Sequence, residues 1–470
     1  MRADISDLQQ KHPQLAEEYT KLRDQLDTPT AFMRQADQLH PPKVSSSQID
    51  QRYTAGQKLD TIIQKIRKLS GFEHFLLAPS EDEMKAAAAP GPIVIVNVST
   101  YRCDALVVEK SGLRTVRLPD LENGEIRARA AALKPDSINT ELLEWLWQTT
   151  AKPVLDALGF TKCPQGCWPR IWWIPTGPLT KFPIHAAGNH FPGSAETVLD
   201  RVVSSYSTSV RALVHSRQNR PKVTIAAASE TVVLVGMQNT PGLSSLPFVR
   251  QEMDRLNGLF NSMELRVRQP PTNRSNVLDA LNDCQVFHFA GHGRTDPEDP
   301  SNSALLLSDG ELTVASLFET NLHSRKPFLA YLSACGTGKN EHDALIDEGL
   351  HLIAACQLAG FQHVVGTLWQ VNDRSCVDVA TMTYKWMQEQ NLSDDSVSQG
   401  LHHASRSLRD QWMMDDAARR ASKRGKRVEE DCQGAVGQLR SNKDKSGNPR
   451  DAVLCDDAPL YWVPYVHFGL

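Results

Sequence analysis

Among 470 residues there is no uninterrupted apolar run that approaches the roughly 20 residues a helix needs to cross a bilayer. The first ten residues, Met1-Arg-Ala-Asp-Ile-Ser-Asp-Leu-Gln-Gln, lack the apolar core of a secretory signal. Neither sign of charge dominates. The formal net charge is −4, close to neutral for this length, so no nucleic-acid footprint is expected. Cysteine is sparse: the nine cysteines are dispersed singly, apart from Cys163-Pro-Gln-Gly-Cys167. An odd, scattered set reads as reduced thiols rather than a disulfide framework. Cys163 and Cys167 have the spacing of half a zinc site, but no second Cys or His pair at ligand spacing accompanies them. There is also no 34-residue self-similarity of the kind a helical repeat array shows. These absences lead to the expectation of a cytoplasmic protein with no metal, no cofactor, no membrane partner and no nucleic-acid partner.

What is present falls into three parts. Residues 1–88 are polar and helical in pattern. Leu15, Tyr19, Leu22 and Leu26 recur at helical spacing, as do Leu59, Ile62, Ile63, Ile66 and Leu69. Pro41-Pro42 and Ser45-Ser-Ser47 mark a break between helices, and Ala86-Ala-Ala-Ala-Pro90-Gly-Pro92 reads as a linker. These helices are a candidate surface for a regulatory protein partner.

The second part, 90–225, opens with the β-branched runs Ile93–Val98 and Ala105–Val108. A helix is expected over Glu141–Leu158, broken or kinked near Pro153, and then a strand over Ile171–Ile174. His185 follows that strand without a cysteine partner, so a surface or interdomain position is expected for it.

The third part, 228–470, alternates strands and helices. Thr231–Gly236 is an apolar strand, Val249–Phe260 a helix, Glu264–Val267 a strand and Ser275–Leu281 a helix. Two further apolar strands, a helix over Asp347–Ala359 and a strand over His363–Leu368 complete the series. This order predicts an α/β fold, a mostly parallel sheet with helices on both faces. Residues 411–450 interrupt it with mixed charge blocks and the loop-like Ser441–Pro449. They are expected to form a charged, solvated insertion, with a segment cleaved on activation as the other reading.

The two apolar strands carry the chemistry. Val286-Phe-His-Phe-Ala-Gly-His292-Gly293 and Phe328-Leu-Ala-Tyr-Leu-Ser-Ala-Cys335-Gly-Thr-Gly338 each end at a Gly-containing turn bearing one reactive side chain. A thiol becomes a useful nucleophile as the thiolate. An imidazole can take its proton and later protonate the leaving amine. The backbone N–H groups of Gly293 and Cys335 are candidates for an oxyanion hole. His288, between Phe287 and Phe289 inside its strand, reads as structural. The competing reading of the pair is a small buried thiol and a satisfied core histidine.

These residues resemble the two signature segments of the CHAT domain, a caspase-like cysteine peptidase domain often joined to tetratricopeptide repeats. Asp347-Glu-Gly349, Ala354-Ala355, Leu358-Ala-Gly360 and Val364-Val-Gly-Thr-Leu-Trp369-Gln-Val-Asn-Asp373 are similar to later segments of that family. So are Pro459–Gly469, at its closing strand, and Ile171–Leu179 with Phe182-Pro183, in its first half. The resemblance covers roughly residues 90–470. It implies a caspase-like fold, a catalytically silent half over 90–225, a catalytic half over 228–470, and a cysteine endopeptidase acting on protein substrates. In that enzyme His292 is the base and Cys335 the nucleophile. A CHAT fold serving only as an interaction or signalling module is the alternative. Asp347 reads from its position as a helix-cap or first-turn residue. A distant resemblance to separase implies instead that it recognises a basic P1 side chain.

Overall fold

The computed structural model describes residues 8–9, 11–27, 46–73, 75–134, 138–218, 231–320, 322, 326–338, 351–432 and 460–470. Residues 1–81 and 82–470 form two compact units. The first contains helices α1 (Pro13–Asp27) and α2 (Ser46–Ile66). Its core is built by the positions that the helical spacing singled out. Tyr19, Ile62 and Ile66 are buried with Leu8, Ala16, Phe72 and Phe75, and Leu22, Leu59, Ile63 and Leu69 pack against them. Tyr19 meets Phe75 edge to face at 5.5 Å, the geometry aromatic quadrupoles favour.

The second unit is organised by a large sheet, eleven-stranded among the described residues. The first strands in the chain are β1 (Ile93–Asn97), β2 (Asp104–Glu109), β3 (Gly112–Arg117), β4 (Arg170–Pro175) and β5 (Val203–Tyr206). Then come β6 (Thr231–Gly236), β7 (Arg266–Arg268) and β8 (Val286–Ala290). The short β9 (Gly293–Arg294), β10 (Ala304–Leu306) and β11 (Glu311–Thr313) form a separate three-stranded sheet. β12 (Leu329–Ser333), β13 (His363–Thr367) and β14 (Tyr465–Gly469) complete the set, and the large sheet runs in the order β3-β2-β1-β4-β5-β14-β13-β12-β8-β6-β7. The pairs β1–β4, β4–β5, β6–β7, β6–β8, β8–β12 and β12–β13 are parallel. Antiparallel pairing occurs in the β1–β2–β3 meander and between β13 and β14. The fold is therefore the mostly parallel α/β sheet that the alternating pattern predicts. β8, β12, β13 and β14 are buried along their whole length. Their mainly apolar composition fits a sheet with helices on both faces.

The chain's last strand lies in the middle of this sheet. β14 pairs with β13 over five positions and meets β5 through Tyr206 and Phe468, whose rings stack at 5.6 Å. The sheet thus runs without a break from the strands of 90–225 to those of 228–470. Polar side chains strengthen the junction. Trp172 Nε1 donates to Gly469 O at 2.8 Å, and Arg170 donates to Ser205 Oγ at 2.9 Å and Leu470 O at 2.7 Å.

The helices used below are α3 (Phe248–Ser262), α4 (Arg274–Leu281), α5 (Leu352–Ala359), α6 (Asp373–Glu389) and α7 (Asp394–Cys432). The helix expected over 141–158 is divided. Asn139 caps Thr140–Leu146, a π turn follows over Trp147–Ala151, and an α-helix resumes over Lys152–Ala157. Pro153 has no N–H to donate back along the helix, and the widened turn absorbs that interruption. The charge-rich segment from 411 continues α7 as helix to Cys432. Residues 433–450 of the expected insertion lie outside the described residues. Asp200, before β5, holds α7 in place. Arg409 donates to it twice, at 2.6 and 2.9 Å, and Arg406 once at 3.0 Å, with Asp200 and Arg409 both buried. Among the described residues no helix is long and apolar enough to cross a membrane.

Candidate active site

β8 and β12 are distant in sequence but adjacent and parallel in the sheet. Leu329 pairs with Val286, and the register runs on to Ser333 opposite Ala290. Each chain then adds two residues, which are Gly291-His292 on one side and Ala334-Cys335 on the other. His292 and Cys335 therefore follow matching positions at the C-terminal ends of neighbouring strands. Parallel sheets place their sites at such strand ends. The two segments touch. Gly291 N–H donates to Ser333 O at 3.2 Å, and Thr295 Oγ1 donates to Gly336 O at 3.4 Å. A β-carbon at position 293 would lie 2.7 Å from Cys335 O, so only glycine allows this approach. Gly336 adopts φ +63°, which reverses the chain directly after the cysteine.

The histidine is anchored from the opposite side. His292 is buried, and its Nε2 lies 2.9 Å from Ser244 O in the loop between β6 and α3. A carbonyl oxygen only accepts, so Nε2 carries the hydrogen. In the neutral ring Nδ1 then holds the lone pair. The loop is braced by Leu246 N–H donating to Gln238 O at 2.8 Å and by Leu243 N–H donating to Thr240 O at 3.1 Å. After His292 the chain enters β9. Leu306 N–H donates to His292 O at 3.0 Å while Gly293 sits opposite Leu305. That ladder pattern turns the N–H of Gly293 away from β10. Cys335 is half-buried, in contrast to the buried thiols Cys284, Cys356 and Cys376. Burial pushes all three of those thiols up to about 12.

His288 does something else. Its Nε2 lies 3.0 Å from Glu252 Oε1 and its Nδ1 3.3 Å from Tyr384 Oη, and it stacks on Tyr331 at 5.0 Å. His288 and Glu252 are both buried, so the pair belongs to the core between the sheet, α3 and α6. Of the surface and interdomain positions expected for His185, the structure has the interdomain one: it is buried between Tyr206 of the 90–225 part and Val463 of the 228–470 part. Nε2 donates to Val463 O at 2.9 Å, Nδ1 meets Tyr206 Oη at 2.9 Å, and desolvation lowers its pKa to about 4. Asp347 and the expected start of its helix lie outside the described residues, and α5 is described from Leu352. Cys163 and Cys167 are exposed. Among the described residues no group of three or more His, Cys, Asp or Glu side chains is arranged to hold a metal ion.

Two contributors to this arrangement carry no mark in the sequence. Ser244 acts through its main-chain carbonyl, which every residue possesses. Thr367 closes β13 behind the cysteine turn and reads from sequence only as a strand residue.

No curated protein sequence matches the chain. Among solved structures, the Arg-specific cysteine proteinase gingipain R is similar at 9% identity and a TM-score of 0.42, covering 70% of this chain and 73% of that one. The complex of Porphyromonas gingivalis RgpB pro- and mature domains is similar at 10% identity and a TM-score of 0.39, covering 70% and 75%. The Saccharomyces cerevisiae separase–securin complex is similar at 11% identity and a TM-score of 0.38. That similarity covers 98% of this chain and 27% of that one. The CHAT domain profile matches residues 140–470, well over half of the chain. With that match and the strand order above, the chain belongs to the CHAT domain family.

Proposed function

We propose that this protein is a cysteine endopeptidase that cleaves protein substrates with Cys335 as nucleophile and His292 as general base. The observation that carries the reading is the matched position of the two residues past the in-register ends of β8 and β12, with Gly293 against the Cys335 carbonyl. In this mechanism His292 Nδ1 takes the thiol proton while Nε2–H stays on Ser244 O, which holds the ring's tautomer and plane. The thiolate adds to the scissile carbonyl. The N–H groups of Gly293 and Cys335 receive the developing oxyanion. The imidazolium then protonates the leaving amine, and water, deprotonated by the same ring, releases the acyl group from sulfur.

Asp347 is proposed to bind a basic P1 side chain. A carboxylate facing a guanidinium forms charge-assisted hydrogen bonds, and leaving it unpaired penalises an apolar P1 residue. The N-terminal helical segment is the proposed docking region for a regulatory protein partner, with the enzyme acting in the cytoplasm.

The test is a peptide library varied at P1, incubated with the wild type, Cys335→Ala and Asp347→Asn. Cleavage after Arg or Lys that vanishes in Cys335→Ala and loses its P1 preference in Asp347→Asn supports the whole reading. A P1 preference unchanged in Asp347→Asn returns that residue to a helix-capping role. No Cys335-dependent cleavage of any library member favours the non-enzymatic module.

A further inference from the structure

One hydroxyl bonds the peptide groups on both sides of Cys335. Thr367, the last residue of β13, is buried. Its Oγ1 lies 2.7 Å from Ala334 O and 3.0 Å from Gly336 N. Those atoms belong to the two peptide groups that flank Cys335. The proton positions follow from the partners. Gly336 N–H can only donate, so Oγ1 accepts from it, and the single hydroxyl hydrogen goes to the Ala334 carbonyl. The main chain of Thr367 closes the clamp. Its N–H donates to Thr337 Oγ1 at 2.8 Å, and its carbonyl accepts from Gly338 N–H at 2.8 Å. Gly336 N–H also reaches Trp369 O at 3.2 Å. Every segment from Ala334 to Gly338 is thereby registered against the end of β13.

The Ala334 carbonyl and the Cys335 N–H are the two ends of one peptide group. A hydrogen bond at the oxygen polarises that group and strengthens its N–H as a donor. We infer that Thr367 is a positioning residue whose hydroxyl aims and strengthens the Cys335 N–H for the oxyanion formed during acyl transfer. The inference rests on the proposed role of Cys335 as the acyl acceptor. It extends that role to a residue whose hydroxyl acts through the main chain of the cysteine turn.

Two reagents separate this role from general support of the fold. p-Nitrophenyl acetate acylates a thiolate: the S–C bond forms through a tetrahedral oxyanion, the C–O bond breaks and p-nitrophenolate leaves. Iodoacetamide alkylates the same thiolate: the S–C bond forms, the C–I bond breaks and iodide leaves, with no oxyanion on the path. Both rates are read at Cys335 by peptide mass on the full chain. In Thr367→Val the acylation rate is expected to fall at least about 10-fold, the scale of losing part of one oxyanion donor. Alkylation should stay within about threefold, since it needs no such donor. Thr367→Ser, which keeps the hydroxyl, should restore acylation. If Thr367→Val does not fold, Thr367→Cys carries the same comparison, because S–H is a weak donor. Equal losses in both reactions, or no loss in either, overturn the inference. Acylation of wild-type Cys335 no faster than that of exposed Cys163 overturns it together with the proposed enzyme, whereas failure confined to the Thr367 variants leaves the enzyme standing.

Discussion

Replacing His288 by alanine should unfold this protein more readily without touching the thiol. The imidazole is buried and lies 3.0 Å from Glu252 Oε1, which is itself 1% exposed. Removing the imidazole leaves the buried Glu252 carboxyl without this hydrogen-bond partner, a loss of about 1–3 kcal/mol. The stacking on Tyr331 and the contact with Tyr384 Oη go with it. His288→Gln keeps a donor that can reach the carboxylate and should recover at least half of the loss. All nine tryptophans lie within residues 82–470, so their fluorescence during a urea titration reports on the unit that contains the pair. Cys335 alkylation under native conditions should stay near wild type in both variants. A His288→Ala protein destabilised by less than about 1 kcal/mol would refute the assignment of this pair to the core.

Acid should weaken the fold through desolvated histidines, His467 and the four that follow among them. Desolvation lowers His185, His190 and His351 to about 4 and His402 to about 3, so all four are neutral when folded. In the unfolded chain they take up protons below about 6.5. Stability is therefore flat with respect to these groups above that pH and falls as the pH drops from about 6.5 through 4, which urea midpoints at pH 7.5, 5.5 and 4.5 will show. Asp200→Ala leaves the buried Arg409 guanidinium beside Arg406 with the exposed Asp410 as its remaining carboxylate and should cost about 3 kcal/mol, while Asp200→Leu with Arg409→Met should recover much of it. Thermal melting of the single and double variants checks this. His292→Ala should lower peptide turnover by about 10²–10⁴-fold, measured on the best library substrate, with little change in urea midpoint.

Much of this architecture is legible in the sequence because the strands are buried on both faces. Val286–Ala290 and Leu329–Ser333 read as mainly apolar runs, and glycines mark where each one stops. The helical faces of Tyr19, Ile62 and Ile66 were visible for a similar reason, since one side of each helix has a core to fill. Strand order is another matter. That β12 lies beside β8, and that β14 closes the sheet between β13 and β5, depends on pairings between segments far apart in sequence. The brace on His292 is a peptide carbonyl, which no residue type announces. For His185 the sequence leaves a surface and an interdomain position open, because its partners Tyr206 and Val463 are far from it in sequence and meet it only in the fold.

The central claim is that Cys335 is an activated thiol and His292 its base. The most direct measurement is site-resolved labelling of the native protein by a thiol-reactive peptide probe, quantified at each cysteine by mass. Cys284 and Cys356 serve as internal references, since burial pushes both up to about 12. Labelling of Cys335 that far outpaces both, and that drops in His292→Ala while the reference sites stay unchanged, is the predicted result. Equal labelling of all three cysteines, or labelling of Cys335 indifferent to His292, would contradict the account.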